Sequence, residues 1–372
     1  MRATRAIIHL ERLKANLHSI RAKIGPKPAI CIPVKADAYG HGAVRIGIGA
    51  IKAGAKYLAV ASVQEGVELR EAGIVAPILL FSLPVPEELE TIVRYRISPL
   101  VPDIEFARLV GAAAAHVGEP VSVHIKVDTG MGRIGCRPES IVALVRAVVA
   151  EPFLVLEGTA THLSVADSME KEDIEYTKKQ LERFRTAVDA VRSAGFDPGI
   201  LHAANSGAVV LHEDSYFDMV RPGLLSYGYA PIPSLASVVP VEPVMELQTR
   251  IVFIKDVDVG AAISYGRIWS APRATRIATL PIGYADGLPR RLSGRLSVQI
   301  RGQMFPVVGR ICMDQCMVDL GSDTSISRWE PVTVFGGAST SPTAADVAAL
   351  AGTIPYEITC GINRRVPRIY VE

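Results

Sequence analysis

Lys35 stands where an unbroken apolar run from Ala29 to Val34 gives way to the small, polar stretch Ala36-Asp-Ala-Tyr-Gly-His-Gly42. An ammonium at the end of a buried strand is costly to desolvate, and burial favours the neutral amine, a nucleophile toward carbonyls. Taken alone, the segment fits a lysine that snorkels to water equally well. Other polar residues follow other apolar runs: Asp128-Thr-Gly-Met-Gly-Arg133, His162, Asn205-Ser206 and Arg221-Pro-Gly223. Polar groups gathered from the ends of many strands are the pattern by which a parallel barrel builds a site.

The elements that position them can be read from periodicity. Apolar runs predict eight strands, at Ala29 to Val34, Tyr57 to Ala61, Ile78 to Phe81, Ile97 to Leu100, Val121 to Val127, Leu154 to Thr161, Leu201 to Ala204 and Phe217 to Val220. Helical spacing predicts helices at Leu10 to Ile24, Gln64 to Ala72, Glu87 to Tyr95, Asp103 to Val117, Pro138 to Ala150 and Glu172 to Ala194. Eight alternating units predict an α/β fold, a (β/α)8 TIM-type barrel over residues 1–240. An open doubly wound sheet would set its first and eighth strands far apart, whereas a closed barrel makes them neighbours.

After about Pro240 the texture becomes mainly β. Val244 to Val259, Thr275 to Ile282, Leu296 to Ile300, Pro306 to Cys312, Met317 to Leu320 and Pro331 to Phe335 read as strands, and one helix is expected from Thr343 to Leu350, with Thr343 as its N-cap and Gly352 just past its end. Residues 241–372 therefore form a second, mainly β C-terminal domain, which carries Ser264-Tyr-Gly266, Gly283-Tyr-Ala-Asp-Gly287, Cys312-Met-Asp314 and Pro355-Tyr-Glu357.

Composition bounds the function. With 372 residues, 49% hydrophobic and a net charge of +2, the chain has no basic run that argues for nucleic acid. No apolar stretch is long enough for a signal peptide or a bilayer span, so no membrane association and a cytoplasmic location are expected. The five cysteines have no C-x-x-C spacing, and Cys312 and Cys316, four apart, have no nearby histidine, so no metal is expected.

Seven motifs together resemble the alanine racemase family: Val34-Lys-Ala-Asp-Ala-Tyr-Gly-His-Gly42, Lys126-Val-Asp-Thr-Gly-Met-Gly-Arg133, Ala204-Asn-Ser206, Arg221-Pro-Gly223, Ile263-Ser-Tyr-Gly266, Cys312-Met-Asp314 and Arg364-Arg-Val-Pro-Arg368. The resemblance spans nearly the whole chain in the family's order. It implies a pyridoxal 5'-phosphate cofactor, interconversion of L- and D-alanine by a two-base mechanism, and D-alanine supply for peptidoglycan. The cofactor acts as an electron sink when the α-proton leaves, and inversion needs proton donors and acceptors on both faces.

By the same resemblance Lys35 holds the cofactor and serves the α-proton of the D-isomer. Tyr265 serves that of the L-isomer and is supplied by the second subunit of a homodimer with shared sites. A phenol of pKa near 10 needs a neighbouring positive charge to act as a base at neutral pH. Tyr39, Ser206, Gly223 and Tyr356 match phosphate-gripping positions, and Arg221 matches the residue facing the pyridine nitrogen, which a guanidinium would leave unprotonated. His162 matches a partner of Arg221, with His202 and Asn205 in support. Arg133 matches the partner of a cofactor oxygen and the substrate carboxylate, and Met313 a position whose backbone meets that carboxylate. Lys126 matches a position often carbamylated by carbon dioxide. Many relatives have tyrosine where this chain has Ala160. A racemase of serine or lysine on the same fold is the alternative. A barrel that merely carries the cofactor would leave the β domain unexplained, and a decarboxylase would not match the residues around Cys312.

Overall fold

The computed structural model describes residues 2–337 and 340–372. The chain divides into two units: residues 13–38 with 43–242, and residues 1–12, 39–42 and 243–372. After a first strand, β1 (Arg5–His9), eight strands close a parallel barrel: β2 (Ala29–Pro33), β3 (Tyr57–Val60), β4 (Ile78–Leu80), β5 (Ile97–Val101), β6 (Val121–Lys126), β7 (Leu154–Ala160), β8 (Ile200–His202) and β9 (Met219–Val220). β2 pairs with β9 through Ala29↔Met219 and Ile30↔Val220, which closes the ring. These are the eight strands that the apolar runs predict, each within two residues at either end, because strands buried on both faces are predominantly apolar.

Alternate residues point into the barrel. Cys31, Tyr57, Ala59, Leu79 and Met219 pack there, joined by Ala29, Phe81 and Ile200. The helices outside follow the predicted spans closely: Leu10–Ile24 buries Leu13, Leu17, Ile20 and Ile24 on one face, and Ile104–Val117 starts from an Asp103 cap and stops at the left-handed Gly118. Ala43–Lys52 is a further helix that periodicity did not single out.

The second unit is built on a nine-stranded sheet. To β1 it adds β10 (Met245–Arg250), β11 (Phe253–Val257), β14 (Thr275–Leu280), β15 (Ser297–Ile300), β16 (Gln303–Val308), β17 (Cys316–Gly321), β18 (Pro331–Phe335) and β19 (Arg368–Val371), while β12 (Ala262–Ile263) and β13 (Trp269–Ser270) form a separate hairpin. The helix Ala344–Ala351 has the expected Thr343 cap, completed as a capping box by Asp346, and the expected left-handed Gly352. One boundary differs from the sequence reading. β1 lies between β10 and β19 in this sheet, pairing antiparallel with one and parallel with the other, so the first twelve residues group with the C-terminal unit and not with the barrel. Its partners lie more than 230 residues away, and no local pattern encodes a pairing of that range.

Candidate active site

Past β2 the backbone turns the wrong way. Ala36, Asp37, Ala38 and Tyr39 have φ of 51°, 53°, 53° and 52°, a full left-handed turn that ends at Gly40 with φ 83°. L-residues disfavour this conformation by roughly 1–2 kcal/mol each, so it must be held from outside. In the barrel unit, the Ala36 N–H donates to Glu65 Oε1 at 2.6 Å and the Ala43 N–H to Asp37 Oδ1 at 2.7 Å. In the sheet unit, Arg368 Nε donates to Gly40 O at 2.9 Å, and a Cβ on Gly42 would fall 1.8 Å from the Tyr370 hydroxyl. The turn leaves Lys35, its first residue, half-buried at the carboxyl end of β2. Strain of this kind, over-determined by its surroundings, is common where function needs one geometry.

The other barrel candidates stand at the same strand ends. Lys126 ends β6 and is buried, with its Nζ donating to Val127 O at 3.2 Å. Burial first, then the charges of Arg221 and Arg133, lower its pKa to about 7 against the opposing charge of Asp128. Asp128 folds the following loop by accepting the N–H groups of Gly130 and Gly132 at 3.0 and 3.1 Å. Burial disfavours its charge, yet these bonds and Lys126 outweigh that and keep it below the usual carboxylate range. Arg133, on this loop, is exposed.

Arg221 follows β9 and is buried. It donates to His202 Nδ1 at 2.8 Å, to the carbonyls of Thr161 and Ala203 at 2.8 and 3.0 Å, and to His162 Nδ1 at 3.3 Å. Burial lowers its pKa to about 10, so it stays a cation at neutral pH. His162 is held well below its ordinary pKa by burial and by the charges of Arg221, Lys126, Arg133 and Lys35, in that order. Asn205 caps the short helix Ser206–Leu211 by accepting the Ala208 N–H at 3.1 Å, and its amide donates to Leu163 O. Ser206 Oγ accepts the N–H of Leu225 at 3.3 Å, within the turn that Gly223 opens. The charges of Arg221, Arg133 and Lys35, and of Lys126 when it is protonated, thus converge on one neutral imidazole. The surroundings are arranged to receive an anion.

Four candidates belong to the sheet unit. The Tyr39 and Tyr356 rings lie 4.9 Å apart between centroids. Tyr265 sits on a strained turn between β12 and β13: Ser264 before it has φ 69°, and its hydroxyl is tied to Arg310 O at 2.7 Å. The tyrosine is 72% exposed and Met313 is 53% exposed. The loop that carries Met313 is braced by an ion-pair chain the sequence did not reveal. Arg365 bonds Asp314 at 2.6 Å and the fully buried Asp286 at 2.9 Å, and Arg2 reaches Asp286 at 2.5 Å. Among the described residues, no group of histidine, cysteine or carboxylate side chains is placed to hold a metal.

Residues 8–231 match the family model of the alanine racemase N-terminal domain, and residues 244–370 that of the C-terminal domain. The chain belongs to the alanine racemase family. Similar members include an alanine racemase of Treponema denticola, 52% identical over all of this chain and 99% of its own length, and one of Treponema pallidum, 46% identical over the full length of both. The fold matches a solved alanine racemase of Clostridium difficile with TM-score 0.95 and 39% identity, covering all of this chain and 96% of that one.

Sequence reasoning passed over two further residues in the family's barrel, His124 and Glu157. The only signal was their presence in otherwise apolar strands. His124 is fully buried on β6, two residues before Lys126, and faces Gly158 of β7. A Cβ on Gly158 would lie 2.4 Å from His124 Nδ1 and 2.5 Å from Ile200 O. Gly158→Ala is therefore expected to cost about 1–3 kcal/mol by overpacking, read as a lower urea midpoint at unchanged m-value.

Proposed function

We propose that this chain is an alanine racemase that uses pyridoxal 5'-phosphate, with Lys35 and Tyr265 as its two proton-transferring groups. The observation that carries the reading is the cluster at the barrel's carboxyl end, where Lys35, Lys126, Arg133 and Arg221 bear on a neutral His162. This excess of positive charge suits a cofactor with a phosphate and a phenolic oxygen. The bound cofactor supplies an electron sink for the pair left when the substrate's α-proton departs.

The chain's own residues do the rest. Lys35 would hold the cofactor and would take or return a proton at Cα of the D-isomer through its Nζ. Tyr265 does so through its phenol oxygen on the opposite face, for the L-isomer. Arg221 would meet the pyridine nitrogen of the cofactor and could donate a hydrogen bond to it but not surrender a proton, which would moderate the electron sink. Proton return to Cα is then favoured over side reactions. His162 accepts from Arg221 and steadies it. Arg133 orients the substrate carboxylate with the Met313 backbone, and Asn205, Ser206, Gly223, Tyr39 and Tyr356 grip the cofactor's phosphate and its surroundings.

The exposure of Tyr265 supports its use by a second copy of the chain, in a two-fold homodimer with shared sites. A cytoplasmic location and supply of D-alanine to peptidoglycan belong to the same proposal. Among the described residues no helix is long and apolar enough to cross a membrane. In heavy water, L-alanine incubated with the enzyme should gain deuterium at Cα as D-alanine accumulates. Alanine left untouched, with another amino acid exchanged, would move the reading to that substrate.

Lys126 carries a separate expectation. An amine with pKa about 7 is half neutral at neutral pH, and only the neutral amine adds to carbon dioxide. The product is an anion beside Arg133. The carbamate should therefore be occupied above pH 7 and lost as pH falls below it. Enzyme exchanged into carbon-13 bicarbonate should show a carbamate carbon signal at alkaline pH that Lys126→Ala lacks. Absence of that signal in active wild-type enzyme would remove the carbamate.

A further inference from the structure

Arg221 is a buried cation whose hydrogen-bond partners are two imidazoles and two carbonyls, and among the described residues no carboxylate is in ion-pair contact with it. A buried charge without a counter-ion is costly, so the compensation must lie further off. It can be followed bond by bond through the barrel interior. His202 Nδ1 accepts from Arg221, and His202 Nε2 lies 3.0 Å from His124 Nδ1. His124 Nε2 lies 3.4 Å from Glu157 Oε2, and Glu157 Oε1 accepts the Tyr57 hydroxyl at 2.7 Å. Both imidazoles are 0% exposed, and every ring nitrogen of the two has one partner.

The chemistry of the two ends sets the direction of every bond between them. A guanidinium only donates, so His202 Nδ1 carries no proton and the ring's single proton sits on Nε2. His124 Nδ1 must then accept, which leaves the His124 proton on Nε2, pointing at Glu157. A carboxylate only accepts, and Glu157 receives at both oxygens.

Glu157 reaches this place through a backbone irregularity. Val123 pairs with Leu156 and His124 with Gly158, so Glu157 is the extra residue of a β-bulge. Bulges re-aim side chains beside functional sites. Gly158 next to it leaves the room that the His124 ring fills.

We infer that Glu157, His124 and His202 form one directional relay that holds Arg221 in position, with Glu157 as its remote counter-anion and positioning residue. The inference deepens the proposed function, on which it rests for the role of Arg221. The titration behaviour agrees. The His124 bond, with those from Tyr57 and Ser122, keeps Glu157 below the usual carboxylate range although burial opposes it. Burial and Arg221 keep His202 far below its ordinary pKa.

The test uses the cofactor-loaded enzyme with nitrogen-15 histidine, its ring signals assigned by His124→Gln and His202→Gln. In wild type both rings should carry a single proton, on Nε2. A proton on Nδ1 of either ring, or an imidazolium signal, would overturn the relay. Glu157→Gln keeps an acceptor for His124 and should preserve both tautomers. Glu157→Leu removes it and should populate the second tautomer at His124. It should also lower kcat for alanine roughly tenfold with little change in KM, as for carboxylates that orient metal-binding histidines. Unchanged tautomers and kcat in a folded Glu157→Leu enzyme would show that Glu157 positions nothing, and if that variant does not fold, the wild-type and Glu157→Gln signals decide the matter. Failure of the racemase reading is separate: it would appear as no α-proton exchange in wild type while the ring signals stay as described.

Discussion

Lys35→Ala is expected to remove deuterium exchange at Cα of both alanine isomers, by more than ~10³-fold. On the proposed roles, one substitution deletes two things at once: the group that would hold the cofactor in line with the substrate, and the amine that would move the proton of the D-isomer. Because the lysine begins a left-handed turn, its position does not depend on its own side chain. Ala36, Asp37 and Gly40 are held by bonds to Glu65, Ala43 and Arg368 that the substitution leaves in place. The variant should therefore fold normally, with an unchanged far-ultraviolet circular dichroism spectrum. Exchange within tenfold of wild type would take the catalytic role away from Lys35.

Tyr265→Phe is expected to divide the reaction. Only a hydroxyl is lost from a side chain that is 72% exposed, so stability should stay within about 0.5 kcal/mol. Exchange from L-alanine should fall by ~10²–10⁴-fold, as for loss of a positioned general base. D-alanine should continue to exchange its α-proton for deuterium, but with retention, since the proton returns to the face that Lys35 serves. Racemisation near the wild-type rate would exclude the tyrosine. Mixing this variant with Lys35→Ala tests the sharing of sites. If each site draws its lysine from one subunit and its tyrosine from the other, a mixed dimer has one complete site and one with neither group. After full exchange of subunits about a quarter of all sites should work, whereas sites built from a single chain would stay inactive in every combination.

The barrel was legible in the sequence because each of its strands is a short apolar run between amphipathic helices, a pattern set locally by burial on both faces. The helix Ala344–Ala351 was legible to within one residue at each end, since Thr343 and Gly352 act within one turn of its ends. Lys35, His162, Arg221 and Asn205 could be picked out because each polar residue follows an apolar run. By contrast, β1 was hidden, because its pairing with β10 and β19 joins segments far apart in the chain. The left-handed turn after Lys35 was hidden as well. Alanine, aspartate and tyrosine have no preference for it, and the bonds that impose it come from Glu65 and Arg368.

The sequence by itself determined the alternation of strands and helices, the change to a β-rich second part, and the order of the motifs that place the chain in its family. These depend on neighbours within a few residues, which one-dimensional pattern records. Only the tertiary structure decided that Lys126 would be an amine of pKa about 7, that His162 would be neutral among basic side chains, and that Glu157 would reach Arg221 through two imidazoles. Each of those properties is a sum of burial and charge from strands distant in sequence. A bulge of one residue in β7 turns Glu157 toward His124, and no pattern in the chain announces it.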